Sequence, residues 1–212
     1  MRKLIVSEFV SLDGVMQAPG GKDEDRDGGF EYGGWTIPYW HDSIGENFVR
    51  LMQDCDAFLL GRRTYVTHAE AFEPLPKGDF FGDLMNTPQH YVVSKTLTTP
   101  IWRNTTIIRD NVVQSIRALK EQPGGNILTD GSSQLVHTML AHDLVDELHL
   151  LVYPLTLGKG KRVFAGVSMQ RLIWNPQRPT RPVSLDCTTP ARNDIESIRP
   201  LKLAMAGDSL LE

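Results

Sequence analysis

The stretch NILTDGSSQLVHTML, at residues 126–140, combines a short apolar strand, a turn of small residues and a helix. We expect the strand at residues 126–130, the turn at Gly131-Ser132-Ser133 and the helix at about 133–142. Small residues let the backbone amides at the start of such a helix approach a phosphate, and the helix dipole favours an anion there. A simple strand-to-helix turn with serine as N-cap remains an alternative. The stretch lacks the GxGxxG spacing of a standard Rossmann nucleotide site.

Strands and helices alternate over residues 1–158 on either side of this stretch. A helix at 42–54 begins at an N-cap of Asp42 or Ser43 and carries its apolar residues on one face. The other predicted strands lie at residues 3–10, 56–60, 90–94, 105–109 and 148–158, and a further helix lies at 111–122. This alternation is typical of an α/β fold with a mostly parallel sheet and helices on both faces.

Two segments depart from the alternation. Residues 17–35 are rich in Gly, Asp and Pro, which indicates a long surface loop that could serve as a lid. Residues 174–200 contain five prolines, which argue against central strands there. We therefore predict one domain over residues 1–170 and an irregular, Pro-rich tail over residues 171–212.

Composition excludes several classes of protein. The 212 residues are 41% hydrophobic and 23% charged, with a net charge of -4, as in a globular domain with a sizeable core. The chain has no excess of basic residues that would indicate a nucleic-acid or membrane partner, and no apolar stretch is long enough to span a bilayer. The two cysteines have no metal-binding spacing. We expect a soluble, cytoplasmic protein with reduced thiols and no metal site.

Two further strand ends carry groups suited to phosphate. Gly61-Arg62-Arg63-Thr64-Tyr65 follows the strand at 56–60 as a turn, and arginine offers planar donors for phosphate. Ser94-Lys95-Thr96 follows the strand at 90–94. Each could be a solvated surface loop. Because ligands of open α/β sheets bind outside the carboxyl ends of the strands, the three ends together predict a dinucleotide site.

A possible substrate region lies nearer the N-terminus. Asp13, in the turn Ser11-Leu12-Asp13-Gly14, could orient a substrate or relay a proton, although an ordinary Asp-Gly turn is the alternative. Trp35 and Tyr39 could stack on a flat heteroaromatic ring or could simply pack in the core. His41 is a weak acid–base candidate in the same region.

The ordered series of these motifs, from SLDG and LLGRRTY to TDGSSQLVHTML and LGKGKRVF, resembles the dihydrofolate-reductase-like superfamily. It is most similar to stand-alone proteins like the C-terminal reductase domain of the bifunctional riboflavin-biosynthesis deaminase/reductase. The resemblance covers Met1 to about Phe164 and implies a three-layer α/β fold with a central, mostly parallel sheet. The family normally completes this sheet with a terminal β-hairpin, which the Pro-rich tail does not match, so we expect a sheet edge to be left unpaired. In this family the protein binds NADPH, and we expect a homodimer by the same analogy.

The resemblance and the chemistry of the side chains together give the expected roles of individual residues. Asp13 is the expected catalytic residue. Gly14, Trp35, Tyr39 and Asp42 are the expected substrate-binding residues. The expected NADPH-binding residues are Gly61, Arg62, Arg63, Thr64, Ser94, Lys95, Asp130, Gly131, Ser132, Ser133 and Gln134.

The predicted function is transfer of hydride from NADPH to a carbon–nitrogen double bond of a pyrimidine- or pteridine-like substrate, as in 5-amino-6-(5-phosphoribosylamino)uracil reductase. The cofactor supplies the hydride chemistry and the protein supplies orientation. Two alternatives stay open. A true dihydrofolate reductase would need a carboxylate on the first helix, such as Asp42 or Glu46. A non-catalytic nucleotide-binding protein could share the fold, because fold does not fix function.

Overall fold

The computed structural model describes residues 1–168, 173–174 and 184–188, the last two segments as backbone strands. The strands are β1 Leu4–Ser11, β2 Cys55–Gly61, β3 Gln89–Val93, β4 Thr105–Ile108, β5 Asn126–Asp130, β6 Glu147–Tyr153, β7 Ile173–Trp174 and β8 Ser184–Thr188. The helices are α1 Asp42–Met52, α2 Arg62–Phe72, α3 Phe80–Asn86, α4 Val112–Glu121 and α5 Ser133–Ala141. No helix in this described part of the chain is long and apolar enough to cross a membrane.

The strands form one sheet in the order β4-β3-β2-β5-β1-β6-β8-β7. Strands β1 to β6 pair in parallel, and β8 and β7 continue the sheet antiparallel beyond β6. The register sets Ser7 of β1 beside Asp130 of β5. Parallel pairing brings the carboxyl ends of β1, β2, β3 and β5 to a single edge. The predicted three-layer α/β fold with a mostly parallel sheet is therefore confirmed.

Both faces of the sheet are covered by apolar side chains of the helices. Leu4, Val6 and Val10 of β1 share one face and pack in a core that includes residues of α4 and α5. Ile5 of β1 faces the opposite side, where residues of α1, α2 and α3 form a second core. The alternation follows from the two-residue period of a strand, which places successive side chains on opposite faces.

The predicted elements agree with the observed ones to within a few residues, but two helices were missed. The segment after β2 is not a turn, because Gly61 is the N-cap of α2 and Arg62 begins that helix. Helix α3 is capped by Asp79, whose carboxylate accepts a hydrogen bond of 2.7 Å from the amide of Gly82. An N-cap carboxylate followed by apolar residues is a signal that sequence reasoning could have used.

Two predicted element boundaries were wrong. The N-cap of α1 is His41 rather than Asp42 or Ser43, since the His41 side chain accepts from the amide of Ser43 at 3.2 Å. Strand β6 ends at Tyr153 rather than at residue 158. Pro154 follows directly, and proline has no amide hydrogen with which to continue a ladder.

The expectation of an unpaired sheet edge and no central strand in residues 174–200 was also wrong. Strand β8 lies between Pro182 and Pro190 and pairs antiparallel with β6, so that β6 is not an edge. A five-residue strand fits between prolines because the restriction on backbone pairing applies only at the prolines themselves. The irregular structure predicted for the rest of the tail lies outside the described residues, and the domain boundary at residue 170 stays a prediction.

Candidate functional site

A cavity of about 800 Å³ opens at the carboxyl ends of the parallel strands. Each NADPH-binding residue expected from the sequence lies in its wall, although they come from three separate strand ends. They are Gly61, Arg62, Arg63, Thr64, Ser94, Lys95, Asp130, Gly131, Ser132, Ser133 and Gln134. The sheet order therefore brings together the three motifs that sequence reasoning grouped.

The ends of β2 and β5 are held together by a serine hydroxyl. The amide of Gly61 donates to Ser132 Oγ at 2.8 Å, and the same hydroxyl donates to Thr64 Oγ1 at 3.0 Å. Gly131 and Ser132 both adopt left-handed backbone conformations, with φ of +61° and +63°. Left-handed conformations are uncommon for residues other than glycine and are often found at ligand sites. The turn is thus fixed in a strained shape against α2.

Two helices begin at this edge with amides directed outward. Helix α5 starts after Ser132, whose carbonyl accepts its first helical hydrogen bond from Leu135 at 2.8 Å. Helix α2 starts after Gly61, which makes no side-chain cap. The first amides of a helix lack partners within the helix and carry a partial positive charge. The two helix starts give the cavity wall a favourable potential for phosphate.

Basic side chains add to this potential. Arg62 and Lys95 line the cavity, are exposed, and have no hydrogen bond or ion pair with residues 1–168. Arg63 instead forms ion pairs with Asp27 and Asp25, and its hydrogen bond to Asp27 raises the pKa of its guanidinium. Arg62 is thus available to a ligand, whereas Arg63 is already paired.

Asp25 and Asp27 hold the predicted loop at residues 17–35 against the cavity wall through ion pairs with Arg63 and Lys161. We call these ion pairs the latch. Lys161 pairs with both Asp25 and Asp27, and Gln17 donates to the carbonyls of the same two residues at 3.1 Å. Hydrogen bonds from Arg63 and Lys161 lower the pKa of Asp27 to about 2. The loop therefore lies against the cavity wall formed by the end of β2 and the start of α2.

The loop after β3 contributes differently from what its sequence suggests. Ser94 lines the cavity and is buried, but its hydroxyl accepts from the amides of Thr96 at 3.2 Å and Leu97 at 2.9 Å. The hydroxyl therefore shapes its own loop. Lys95 is the group in this segment with a charge available to a ligand.

Asp13 is held away from the cavity wall by its own turn. Its carboxylate accepts hydrogen bonds from the Ser11 hydroxyl at 2.6 Å and from the amides of Leu157 and Gly158 at 3.0 and 2.8 Å. Arg162 also pairs with it. The hydrogen bond from Ser11 and these amides hold the pKa of Asp13 well below its ordinary value of 3.8. With these hydrogen bonds the Asp13 carboxylate connects the turn at residues 11–14 to the segment at residues 157–158. These contacts do not support the expected proton relay.

The expected substrate-binding residues Gly14, Trp35, Tyr39 and Asp42 also lie outside the cavity wall. Trp35 is buried and donates through Nε1 to the carbonyl of Gln17 at 2.8 Å. Tyr39 is exposed and packs edge-on against a buried tyrosine, and Asp42 is exposed in the first turn of α1. These residues shape the surrounding loops. The apolar end of the cavity is instead lined by Phe9, Met16, Trp40, Ile44, Phe48 and Leu151.

Glu8 and His68 are among the polar residues of the cavity that sequence reasoning missed. Glu8 is 3% exposed, and its Oε2 accepts from the amide of Gly131 at 2.9 Å. His68 Nε2 lies 2.9 Å from Asp130 Oδ2. The two-residue alternation of β1 could have predicted that Glu8 is buried, because Glu8 lies on the same face as Leu4, Val6 and Val10. In the described residues, no group of three or more His, Cys, Asp or Glu could hold a metal ion.

Comparison with known proteins agrees with this geometry. The family model for the RibD C-terminal domain matches residues 2–187. The uncharacterized protein YyaP of Bacillus subtilis (strain 168) is 27% identical over 175 residues, which cover 80% of this chain and 84% of YyaP.

Solved structures share the fold at lower identity. A putative riboflavin biosynthesis protein from Shewanella sp. PV-4 has a TM-score of 0.61 and 20% identity, with 89% of this chain and 99% of that chain covered. The Thermotoga maritima diaminohydroxyphosphoribosylaminopyrimidine deaminase/5-amino-6-(5-phosphoribosylamino)uracil reductase has a TM-score of 0.58 and 15% identity, over 89% of this chain and 56% of that one. Dihydrofolate reductase of Enterococcus faecalis, complexed with NADP(H), has a TM-score of 0.53 and 16% identity, over 91% and 97%.

Proposed function

Because the chain belongs to the RibD C-terminal domain family, we propose that it is an NADPH-dependent reductase of a pyrimidine- or pteridine-like substrate. Family membership supports a reductase-type function. The proposed reaction transfers hydride to a C=N-type bond, as in 5-amino-6-(5-phosphoribosylamino)uracil reductase. The observation that carries the proposal is one cavity that joins a phosphate-binding edge to an apolar end.

The phosphate-binding edge fits the charged parts of NADPH. Gly131 to Gln134 and the start of α5 offer backbone amides to a pyrophosphate. Arg62 and Lys95 offer cations without partners among residues 1–168, and a guanidinium suits the 2′-phosphate that distinguishes NADPH from NADH. The volume of about 800 Å³ lies within the usual range for ligand cavities.

The apolar end fits the reacting rings. Phe9, Ile44 and Phe48 present apolar surface against which a flat heterocycle can pack. When bound, NADPH would supply the hydride, and this wall would hold the acceptor carbon near it and exclude water. The loop at 17–35, latched by Arg63 and Lys161, would close the same space.

The structure favours this reaction over true dihydrofolate reduction. The helix carboxylates that a folate reductase would use, Asp42 and Glu46, both lie outside the cavity wall and are exposed. Their position gives no support to the folate alternative. The homodimer expected by analogy remains part of the proposal, and light scattering of the purified protein measures it.

Titration with NADPH and with NADH tests the cofactor assignment. We expect wild type to bind NADPH more tightly, and Arg62→Ala to lose about 1.5–3 kcal/mol of NADPH binding, roughly 10- to 150-fold in Kd, because a charge-assisted hydrogen bond is removed. NADH binding should change little. Arg117→Ala removes an exposed arginine of α4 outside the cavity and is the matched control.

Turnover tests the rest of the proposal. NADPH oxidation is followed with 5-amino-6-(5-phosphoribosylamino)uracil and, separately, with dihydrofolate. Oxidation with the pyrimidine alone supports the proposal, and oxidation with dihydrofolate alone contradicts the proposed substrate. Tight NADPH binding without oxidation would identify a non-catalytic binding protein. Equal affinity for NADPH and NADH in wild type would refute the role of Arg62.

A further inference from the structure

Glu8 lies at a position of β1 where the alternation of side chains predicts an apolar residue. Leu4, Val6 and Val10, on the same face of β1, are buried in the core beneath α4 and α5. Glu8 is 3% exposed, yet it lines the cavity near the turn that begins at Gly131. A sequence rule broken at a buried position is expected mainly at functional sites.

One oxygen of this carboxyl group is paired and the other is not. The amide of Gly131 donates to Oε2 at 2.9 Å, whereas Oε1 is buried without a hydrogen-bond partner in the described structure. An ionised carboxylate with an unpaired buried oxygen is costly, and a proton on that oxygen removes the charge. Since the amide requires Oε2 to accept, the proton belongs on Oε1, which is then a donor without an acceptor.

The neighbouring groups also favour a neutral Glu8. Burial, and then the charge of Asp130, raise the pKa of Glu8 well above its ordinary value. Asp130 pairs with His68 at 2.9 Å, and although burial lowers the pKa of that imidazole, the Asp130 carboxylate raises it overall. Glu24 of the 17–35 loop acts on His68 in the same direction.

The remaining charges of this wall are paired or lie towards the phosphate-binding edge. Arg63 and Lys161 are held by the acidic residues of the latched loop, and Arg62 and Lys95 line the cavity without partners among residues 1–168. A pyrophosphate at Gly131 would be repelled by an anionic Glu8 but not by a neutral one. A protonated Glu8 and a paired Asp130 and His68 together make the wall compatible with an anionic cofactor.

From this arrangement we propose that Glu8 is the acid that protonates the substrate nitrogen during the reduction. The inference rests on the proposed function. Hydride from the reduced nicotinamide adds to the carbon of the C=N bond, the π electron pair of that bond moves to nitrogen, and nitrogen takes the proton from Glu8 Oε1. The products are the amine, the oxidised nicotinamide and the Glu8 carboxylate. Solvent returns a proton to the Glu8 carboxylate after the product leaves.

Asp130 is a positioning residue in this scheme. It does not touch the substrate, and its charge keeps the proton on Glu8. Glu8 lines the same cavity as the turn after β5 and the apolar side chains of Phe9 and Met16, the cavity in which the two reacting rings would bind.

The test compares wild type, Glu8→Gln and, as a matched control, Glu121→Gln at an exposed position of α4. Infrared difference spectra between wild type and Glu8→Gln at neutral pH should show the carbonyl band of a protonated carboxylic acid. With NADPH and 5-amino-6-(5-phosphoribosylamino)uracil, Glu8→Gln should lose about 100-fold or more in kcat, the usual contribution of a general acid, while its Kd for NADPH stays close to wild type.

The pH dependence separates catalysis from a structural role. In wild type, kcat should fall as pH rises through the pKa of Glu8, because the acid form is the active one. This decrease should be absent in Glu8→Gln and should move to lower pH in Asp130→Asn, which provides a second test if Glu8→Gln folds poorly. Glu121→Gln should behave as wild type.

Three results would overturn the inference, and they differ from failure of the proposed function. An ionised Glu8 in the infrared spectrum excludes it as the acid. An unchanged kcat in Glu8→Gln assigns the proton to another group, while the reductase proposal stands. A weaker Kd for NADPH with unchanged kcat makes Glu8 a cofactor contact. No NADPH oxidation by any of the proteins refutes the proposed function and, with it, the acid role of Glu8.

Discussion

Replacement of Gly131 by alanine tests whether the turn after β5 is shaped for a phosphate. Gly131 has φ of +61°, and a Cβ atom there would lie 3.0 Å from Thr64 Oγ1 and 3.2 Å from Thr64 Cγ2. The left-handed conformation costs an L-residue about 1–2 kcal/mol. Alanine also restricts the unfolded chain, which offsets about 0.4–1 kcal/mol of that cost.

The contact with Thr64 adds to the backbone cost. Because Thr64 also accepts the Ser132 hydrogen bond, a shift of α2 away from the new methyl group would disturb the link between β2 and β5. Gly158→Ala is the matched control, since Gly158 has φ of +74° but no atom within 4 Å of the position that the new methyl group would take. We expect the free energy of unfolding to decrease by about 1 kcal/mol in Gly158→Ala and by about 2 kcal/mol in Gly131→Ala. These losses correspond to decreases in Tm of roughly 2–8 °C across the pair.

Thermal and urea unfolding measure these free energies, and NADPH titration measures the site. We expect Gly131→Ala to weaken NADPH binding and Gly158→Ala to leave it unchanged, because only the first residue lies in the cavity wall. Equal destabilisation by the two substitutions, together with unchanged NADPH affinity in Gly131→Ala, would refute the reasoning about this turn.

Four other predictions follow from particular contacts. The double change Asp25→Asn and Asp27→Asn should free two cations of the cavity, tighten NADPH binding several-fold and speed amide exchange in residues 17–35; slower exchange would contradict the latch. Because the pKa of Asp27 is lowered to about 2, the latch should hold above its ordinary pKa of 3.8 and be lost as pH falls towards 2. Tyr65→Phe should cost about 2 kcal/mol in urea unfolding, since the buried hydroxyl accepts from two backbone amides at 3.0 and 2.9 Å, whereas Tyr91→Phe, at a partly exposed hydroxyl, should cost little. The raised pKa of Glu8 means that its protonation favours folding, so wild-type stability should fall as pH rises above the ordinary 4.5, and Glu8→Gln should remove this fall in pH-dependent denaturation curves.

The positions of the strands were predictable because their signals are local. Apolar runs such as residues 56–60 and 126–130 end at Gly61 and Gly131, and the carboxyl ends of parallel strands must meet at one edge. The residues proposed to bind the cofactor could therefore be grouped before any contact was known. Helix α2 was missed because its first residues, Arg62 to Tyr65, are also typical of a basic turn.

The substrate side was less predictable. Asp13 and Trp35 have the chemistry of site residues, but their partners lie in loops whose path the sequence does not specify. Asp13 binds amides at residues 157 and 158, and only the folded chain brings that segment to it. A residue type suited to catalysis was therefore not enough to place it in the cavity.

The sequence by itself determined the alternation of strands and helices, the mostly parallel sheet and the three phosphate-suited strand ends, because each depends on neighbours within a few residues. Tertiary structure alone decided the pairing of Glu8 with Gly131, 123 residues away, and of His68 with Asp130, 62 residues away. It also decided the pairing of β8 with β6. Such contacts depend on strand order and on burial, and burial is also what raises the pKa of Glu8 above that of an exposed glutamate.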